Sequence, residues 1–161
     1  MSRCYEDLFQ GQRFESGSAA IDLREMVEFA RRYDPQPFHL DEAAARDSAF
    51  GALVASGLMT AAVTMRLIVD SELDPAGRWI GLGLERLEWP NPVRAGDRLT
   101  VTIEVDALRP SQSKPGYGVV KLHATTRNQR DEIVQSAWPA ALVPRRATAA
   151  SAPRRSDEPP P

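Results

Sequence analysis

The chain has one cysteine, Cys4, no apolar run long enough to cross a membrane, and only two lysines among its twenty basic residues. Each shortage removes a class of protein. A single thiol forms no intrachain disulfide and supplies no cysteine-rich zinc site, so the core alone must hold the fold. A transmembrane helix needs about 18 or more nearly uninterrupted apolar residues, and none is present. Residues 1–30 carry Glu6, Asp7, Glu15 and Asp22 among the apolar positions. A secretory leader lacks such charges, so a reducing cytoplasm is the expected compartment. A basic excess is missing too. The net charge is −2, which argues against a nucleic-acid partner.

What is present fits a folded domain. The 161 residues are 42% hydrophobic and 26% charged, enough to bury a core in one unit. Eighteen of the basic residues are arginine, which suits planar recognition of carboxylate or phosphate but follows equally from a compositional bias of the source genome. The folding unit is expected over residues 1–143. Residues 144–161 are expected as a disordered tail, because the run RRATAASAPRRSDEPPP has no large apolar side chain and four prolines. That run carries +2, against −4 for residues 1–144.

Apolar spacing predicts a helix over 22–33, where Leu23, Met26, Val27, Ala30 and Tyr33 form one stripe. Asp22 with Glu25 makes a capping-box-like start, and Pro35 and Pro37 end the helix. Asp41 reads as the N-cap of a short helix through EAAAR, followed by the glycine-bounded turn FGALVASG. Residues 58–69, LMTAAVTMRLIV, are apolar or small nearly all round, so other structure must wrap that helix. Asp74-Pro75-Ala76-Gly77 reads as a turn. Strand patterns follow over 79–89, 98–108, 117–127 and 132–143, with an early strand expected over 13–19. There are no internal repeats. The expectation is an α+β domain, a curled antiparallel sheet about one apolar helix.

Chemistry concentrates in YDPQPFHLD, residues 33–41. Asp34 and His39 are presented together on a stretch that two prolines are expected to keep extended, and such a pair is a candidate for general acid–base work. Asp34 is expected at the negative end of the first helix, which would raise its pKa. An Asp before Pro is also a common helix terminator, and a lone histidine is often structural. Composition and spacing leave both readings open.

Taken in order, YDPQPFHLDEAAA, FGALVASGLMTAA and WPNPVRAGDRLTV resemble the MaoC-like enoyl-CoA hydratases and dehydratases of the hotdog superfamily. Asp34, Pro37 and His39 match the family's Asp-x-Asn-Pro-x-His signature. Pro92-Val93 and Gly96-Asp97 match its Pro-Val-x-x-Gly-Asp turn. The resemblance spans roughly residues 5–143. Two positions depart from it, Gln36 where Asn is usual and Ser56 where many members have His before Gly57.

The resemblance implies a hotdog homodimer or higher homo-oligomer. It also implies R-specific hydration of a trans-2-enoyl-CoA, or the reverse dehydration, within fatty acid metabolism. Asp34 and His39 would hold and activate the water. Gly57, with Ser56 beside it, would form the oxyanion and substrate-binding corner. Free N–H groups at that helix start suit a developing enolate oxygen. No metal or redox cofactor is implied; coenzyme A enters as part of the substrate. Thr60, Ala61, Ala62 and Thr64 leave room for an acyl chain. Trp79 and Trp89 read as core or interface, His123 as structural and Arg94 as a solvated turn residue. The alternatives are a hotdog thioesterase and a non-catalytic acyl-thioester-binding or heterodimer subunit. The first is disfavoured because residues 57–69 contain no Asp or Glu, the second because Asp34 and His39 are both retained.

Overall fold

A computed structural model describes residues 3–75 and 79–146. The chain forms a short 3-10 turn (Tyr5–Asp7), β1 (Arg13–Glu15), β2 (Ala19–Ala20), α1 (Leu23–Tyr33), α2 (Pro37–Leu40), α3 (Glu42–Arg46), α4 (Gly57–Val69), β3 (Ile80–Glu88), β4 (Arg98–Pro110), β5 (Tyr117–Arg127) and β6 (Ile133–Pro144). The strands make one antiparallel sheet in the order β1-β4-β5-β6-β3, with β2 also paired to β4.

Alternation in β4 turns Leu99, Val101, Ile103 and Val105 to the core, all fully buried, while Thr100, Thr102 and Glu104 face away. β5 and β6 add Val120, Leu122, Ala124, Val134 and Val143 to the same core. Against it lies α4, which buries Met59, Thr60, Thr64, Leu67 and Ile68. Two buried threonine hydroxyls tie helix to sheet, Thr64 Oγ1 lying 2.8 Å from Thr126 Oγ1.

The sheet wraps α4 on one side only. Leu58, Met65 and Val69 remain exposed on its other side, as do Ile80, Leu82 and Leu84 of the edge strand β3. The expected early strand is two short pieces, β1 and β2. β4 runs on to Pro110 and β6 to Pro144, one residue past the expected end of the folding unit. Beyond it, Arg145 and Arg146 pair with Glu6 and Asp7 of the 3-10 turn. The rest of the expected tail, 147–161, lies outside the described residues, as do residues 76–78 of the expected turn.

The expected caps form: the Asp22 carboxylate accepts from the Glu25 N–H, and that of Asp41 from the Ala44 N–H. The turn into β4 needs Gly96 at φ +85°, a region that favours glycine. There the buried Asp97 carboxylate accepts from the Arg94 N–H, the Gln129 amide and Arg130, joining this turn to the β5–β6 connection.

Ile103 sits between β1 and β5, opposite Phe14 and Ala124, with no exposed surface. Ile103→Ala is expected to lower the unfolding free energy by about 2–5 kcal/mol, measured by urea denaturation. A loss below about 1 kcal/mol would show that the core relaxes into the space.

Candidate active site

Asp34 caps the C-terminus of α1, its N–H donating to the Ala30 carbonyl at 2.9 Å. His39 is not on an extended loop as expected. It lies in α2, a single turn that Pro37 opens at a position where proline's fixed φ and missing N–H favour a helix. That turn carries the imidazole inward, leaving it 5% exposed.

Residues 53–56, in neither helix nor strand, then pass both groups. His39 Nδ1 is 2.8 Å from the Val54 carbonyl oxygen. A carbonyl only accepts, so Nδ1 carries the hydrogen and, in the neutral ring, Nε2 presents its lone pair. That nitrogen faces Asp34 Oδ2 across 3.3 Å.

Two further groups fix the carboxylate. The Ser56 hydroxyl donates to Oδ2 at 2.7 Å, and the Gln36 amide donates to Oδ1 at 2.8 Å. These two donors, Ser56 first, hold the Asp34 carboxyl below the usual carboxylate range; partial burial opposes them and the neighbouring His39 adds a smaller lowering. The direction is opposite to that expected from the helix terminus. Two directed hydrogen bonds outweigh the half-charge of the α1 C-terminus.

Ser56 also works as the N-cap of α4, its oxygen accepting from the Leu58 N–H at 3.2 Å. The Gly57 N–H finds no acceptor among the described residues and stays available at the positive end of the helix. The segment is pinned from the far side, where the Ala55 N–H donates to the Val93 carbonyl at 2.8 Å; the Asn91 amide, donating to the Ile133 carbonyl at 2.9 Å, ties that neighbouring stretch to β6.

Asp34, His39 and Gly57 line one cavity of about 410 Å³. Phe38, Phe50, Val54, Leu58, Trp89, Pro92 and Val134 make its other walls apolar. Ser56 itself is fully buried behind them. Of the small residues expected beside an acyl chain, only Thr60 lines the cavity; Ala61, Ala62 and Thr64 do not.

Trp89, expected in core or interface, lines the cavity and packs on Gly57. Trp79 is half-buried against the core. Arg94 is no solvated turn residue, since its guanidinium donates to the Phe50 carbonyl at 2.9 Å and so ties the loop before residue 53. His123 lies flat on Trp138, ring centroids 4.4 Å apart, away from this cavity. Phe38 and Phe50, 5.2 Å apart, are site residues that the sequence reading missed. The available signal was an aromatic beside each of the two motifs.

A curled antiparallel sheet wrapped on one helix is the hotdog fold, and here an aspartate–histidine pair lies beside that helix's N-terminus. Residues 9–128 match the MaoC like domain family, and the chain belongs to it. It is 47% identical to the MaoC-like dehydratase from Rhodospirillum rubrum, covering 91% of this chain and all of that one with a TM-score of 0.86. It is 27% identical to the R-hydratase PhaJ1 from Pseudomonas aeruginosa, covering 93% of each chain with a TM-score of 0.72. It is also 26% identical to the uncharacterized protein YdeM of Bacillus subtilis, over 75% of this chain and 84% of that protein. No helix among the described residues is long and apolar enough to cross a membrane.

Asp34 binds a proton less readily when folded than when unfolded. Its ionised form therefore adds stability above the unfolded carboxylate value of about 4, and that contribution is lost as pH falls through the lower folded value. Urea unfolding between about pH 6 and pH 3 is expected to show wild-type stability falling more steeply than that of Asp34→Asn. Equal slopes would show that Ser56 and Gln36 do not hold the carboxyl ionised.

Proposed function

We propose that the protein adds water across the C2–C3 double bond of a trans-2-enoyl-CoA to give the (R)-3-hydroxyacyl thioester, and catalyses the reverse dehydration. One observation carries this reading. The Asp34 carboxylate and the lone-pair nitrogen of His39 face each other across 3.3 Å in an apolar cavity that also meets the N-terminus of α4. Two facing acceptors are bridged favourably by a molecule that donates twice, and water does so. Membership of a family that includes an R-hydratase supports the same chemistry and its R stereochemistry.

With the thioester oxygen on the Gly57 N–H, the water oxygen attacks C3 while one of its protons passes to His39 Nε2. The π pair moves toward C1–C2 and charge gathers on the thioester oxygen, where the helix N-terminus stabilises it. The enolate then collapses and C2 takes the proton back, so water is added without net proton exchange. Asp34 stays ionised throughout, holding the water and stabilising the imidazolium. Ser56 acts through Asp34 as a positioning residue. Every proton in the sequence moves through groups of this chain, and coenzyme A is present only as the carrier of the acyl group.

The exposed Leu58, Met65 and Val69 of α4, together with the β3 edge carrying Ile80, Leu82 and Leu84, suit a second copy of the chain. An unpaired apolar edge strand can pair with itself antiparallel across a two-fold axis. Light scattering is expected to give a multiple of the monomer mass, and Leu84→Lys to reduce it. A monomeric wild type would overturn this arrangement.

Purified protein should be supplied with a series of trans-2-enoyl-CoA thioesters, with enoyl absorbance and free thiol followed separately. The expected result is loss of enoyl signal without thiol release. Asp34→Asn and His39→Ala should each lower kcat/KM by about 10²- to 10⁴-fold. Full activity in either variant would refute the assignment, and thiol release from saturated acyl-CoA would establish a thioesterase instead.

A further inference from the structure

We infer that Trp89 is a positioning residue, its indole walling the Gly57 N–H and keeping water off the thioester oxygen seated there; this deepens the hydratase reading and rests on it. Trp89 follows the last residue of β3 and opens the run Trp89-Pro90-Asn91-Pro92-Val93, all of which lines the cavity. Two prolines fix φ within that run, and two hydrogen bonds tie it down. The Asn91 amide donates to the Ile133 carbonyl, and the Val93 carbonyl accepts from the Ala55 N–H. The ring has its own anchor, since Nε1 donates to Gln135 Oε1 at 2.8 Å. Gln135 is 1% exposed and lies opposite Thr126, whose hydroxyl meets Thr64 of α4. Residues directly opposite in a sheet share a face, so Gln135 stands on the helix side of β6. The indole thus bridges β6 and the start of α4.

It meets Gly57 with its flat side. A Cβ on Gly57 would stand 2.7 Å from Cδ2, 2.8 Å from Cε2 and 3.0 Å from Cε3. Cδ2 and Cε2 are the carbons shared by the two rings, and an approach along the rim would meet outer atoms first. The middle of the indole face therefore covers the α-carbon beside the free N–H, and no side chain fits there without moving the ring. Trp89 is 43% exposed, so solvent reaches this corner and the ring is what screens Gly57 from it. A helix-terminal N–H polarises a carbonyl more strongly where water does not compete and the local dielectric is low. Tryptophan has one donor and no acceptor, and Gln135 takes that donor. Trp89 consequently offers the substrate no hydrogen bond of its own and acts through the Gly57 N–H.

The test uses a trans,trans-dienoyl-CoA, whose absorbance moves to longer wavelength when its thioester carbonyl is polarised. Protein is kept in excess, and the spectrum is recorded by stopped flow before hydration proceeds. Wild type is expected to show the shift. Trp89→Leu should lose at least about half of it, and its kcat on crotonyl-CoA should fall about tenfold. Gln135→Met, which keeps the ring but removes its anchor, should lower both by less. Circular dichroism checks the fold of each variant. If Trp89→Leu does not fold, Trp89→Phe, which keeps a ring without the Gln135 bond, should behave as Gln135→Met does. A purely structural role would leave the shift unchanged, and that result in folded variants overturns the inference while leaving hydration intact. A Trp89-dependent shift without turnover supports the inference and refutes the hydratase. Absence of any shift in wild type overturns the inference, whatever the turnover.

Discussion

The Ser56 hydroxyl gives its one hydrogen to Asp34 and, with its oxygen, takes the Leu58 N–H. A hydroxyl offers one donor and two acceptor sites, so a single buried atom serves a carboxylate and a helix start together. That double use sets the spacing between the Asp34–His39 pair and the α4 N-terminus. It also keeps Asp34 ionised against the field of α1's own C-terminus. Histidine at this position would have a larger reach and a different set of hydrogens. Serine holds the two parts of the site one hydrogen bond apart.

Around that atom the site is braced by backbone rather than by charge. The Val54 carbonyl fixes which nitrogen of His39 carries the proton, and the Val93 carbonyl holds Ala55. Arg94, on the turn before β4, reaches back to the loop carbonyl of Phe50. Residues 53–56 are thereby held from both sides, and a few tenths of an ångström there would move the Asp34–His39 pair and the Gly57 N–H together. Rigid placement of this kind matters for the proposed chemistry, because orientation and preorganised dipoles supply much of an enzyme's rate enhancement.

Much of this was legible in the residues. The α4 pattern and the alternation of β4 gave the α+β architecture, and the spacing of Asp34, Pro37 and His39 located the pair. Local signals sufficed because those features are local. Several of the misreadings depend on partners distant in sequence, and the rest on local detail. Two prolines suggested extended chain, but Pro37 stands where it opens a helical turn. The Asp34 carboxyl was expected to shift upward from its helix alone, whereas Ser56, 22 residues on, pulls it down. Trp89 showed no sign of a site role because its hydrogen-bond partner lies 46 residues away. Edge pieces as short as β2 have too few residues for periodicity to register.

The strand order has a consequence for how the molecule is made. Asp34, His39, Ser56 and Gly57 all leave the ribosome before any of β3 to β6, against which α4 must lie. β1 waits as well, since its partner β4 pairs Arg13 with Glu104. β4, β5 and β6 are joined by short connections and can zip locally, but β3 adds to β6, at the far end of that run. Closing these distant pairings costs loop entropy before it is repaid, so the apolar face of α4 stays bare through most of synthesis. The nascent chain therefore holds all four residues, but not the cavity that Val134 of β6 helps to line, until its final strand is in place.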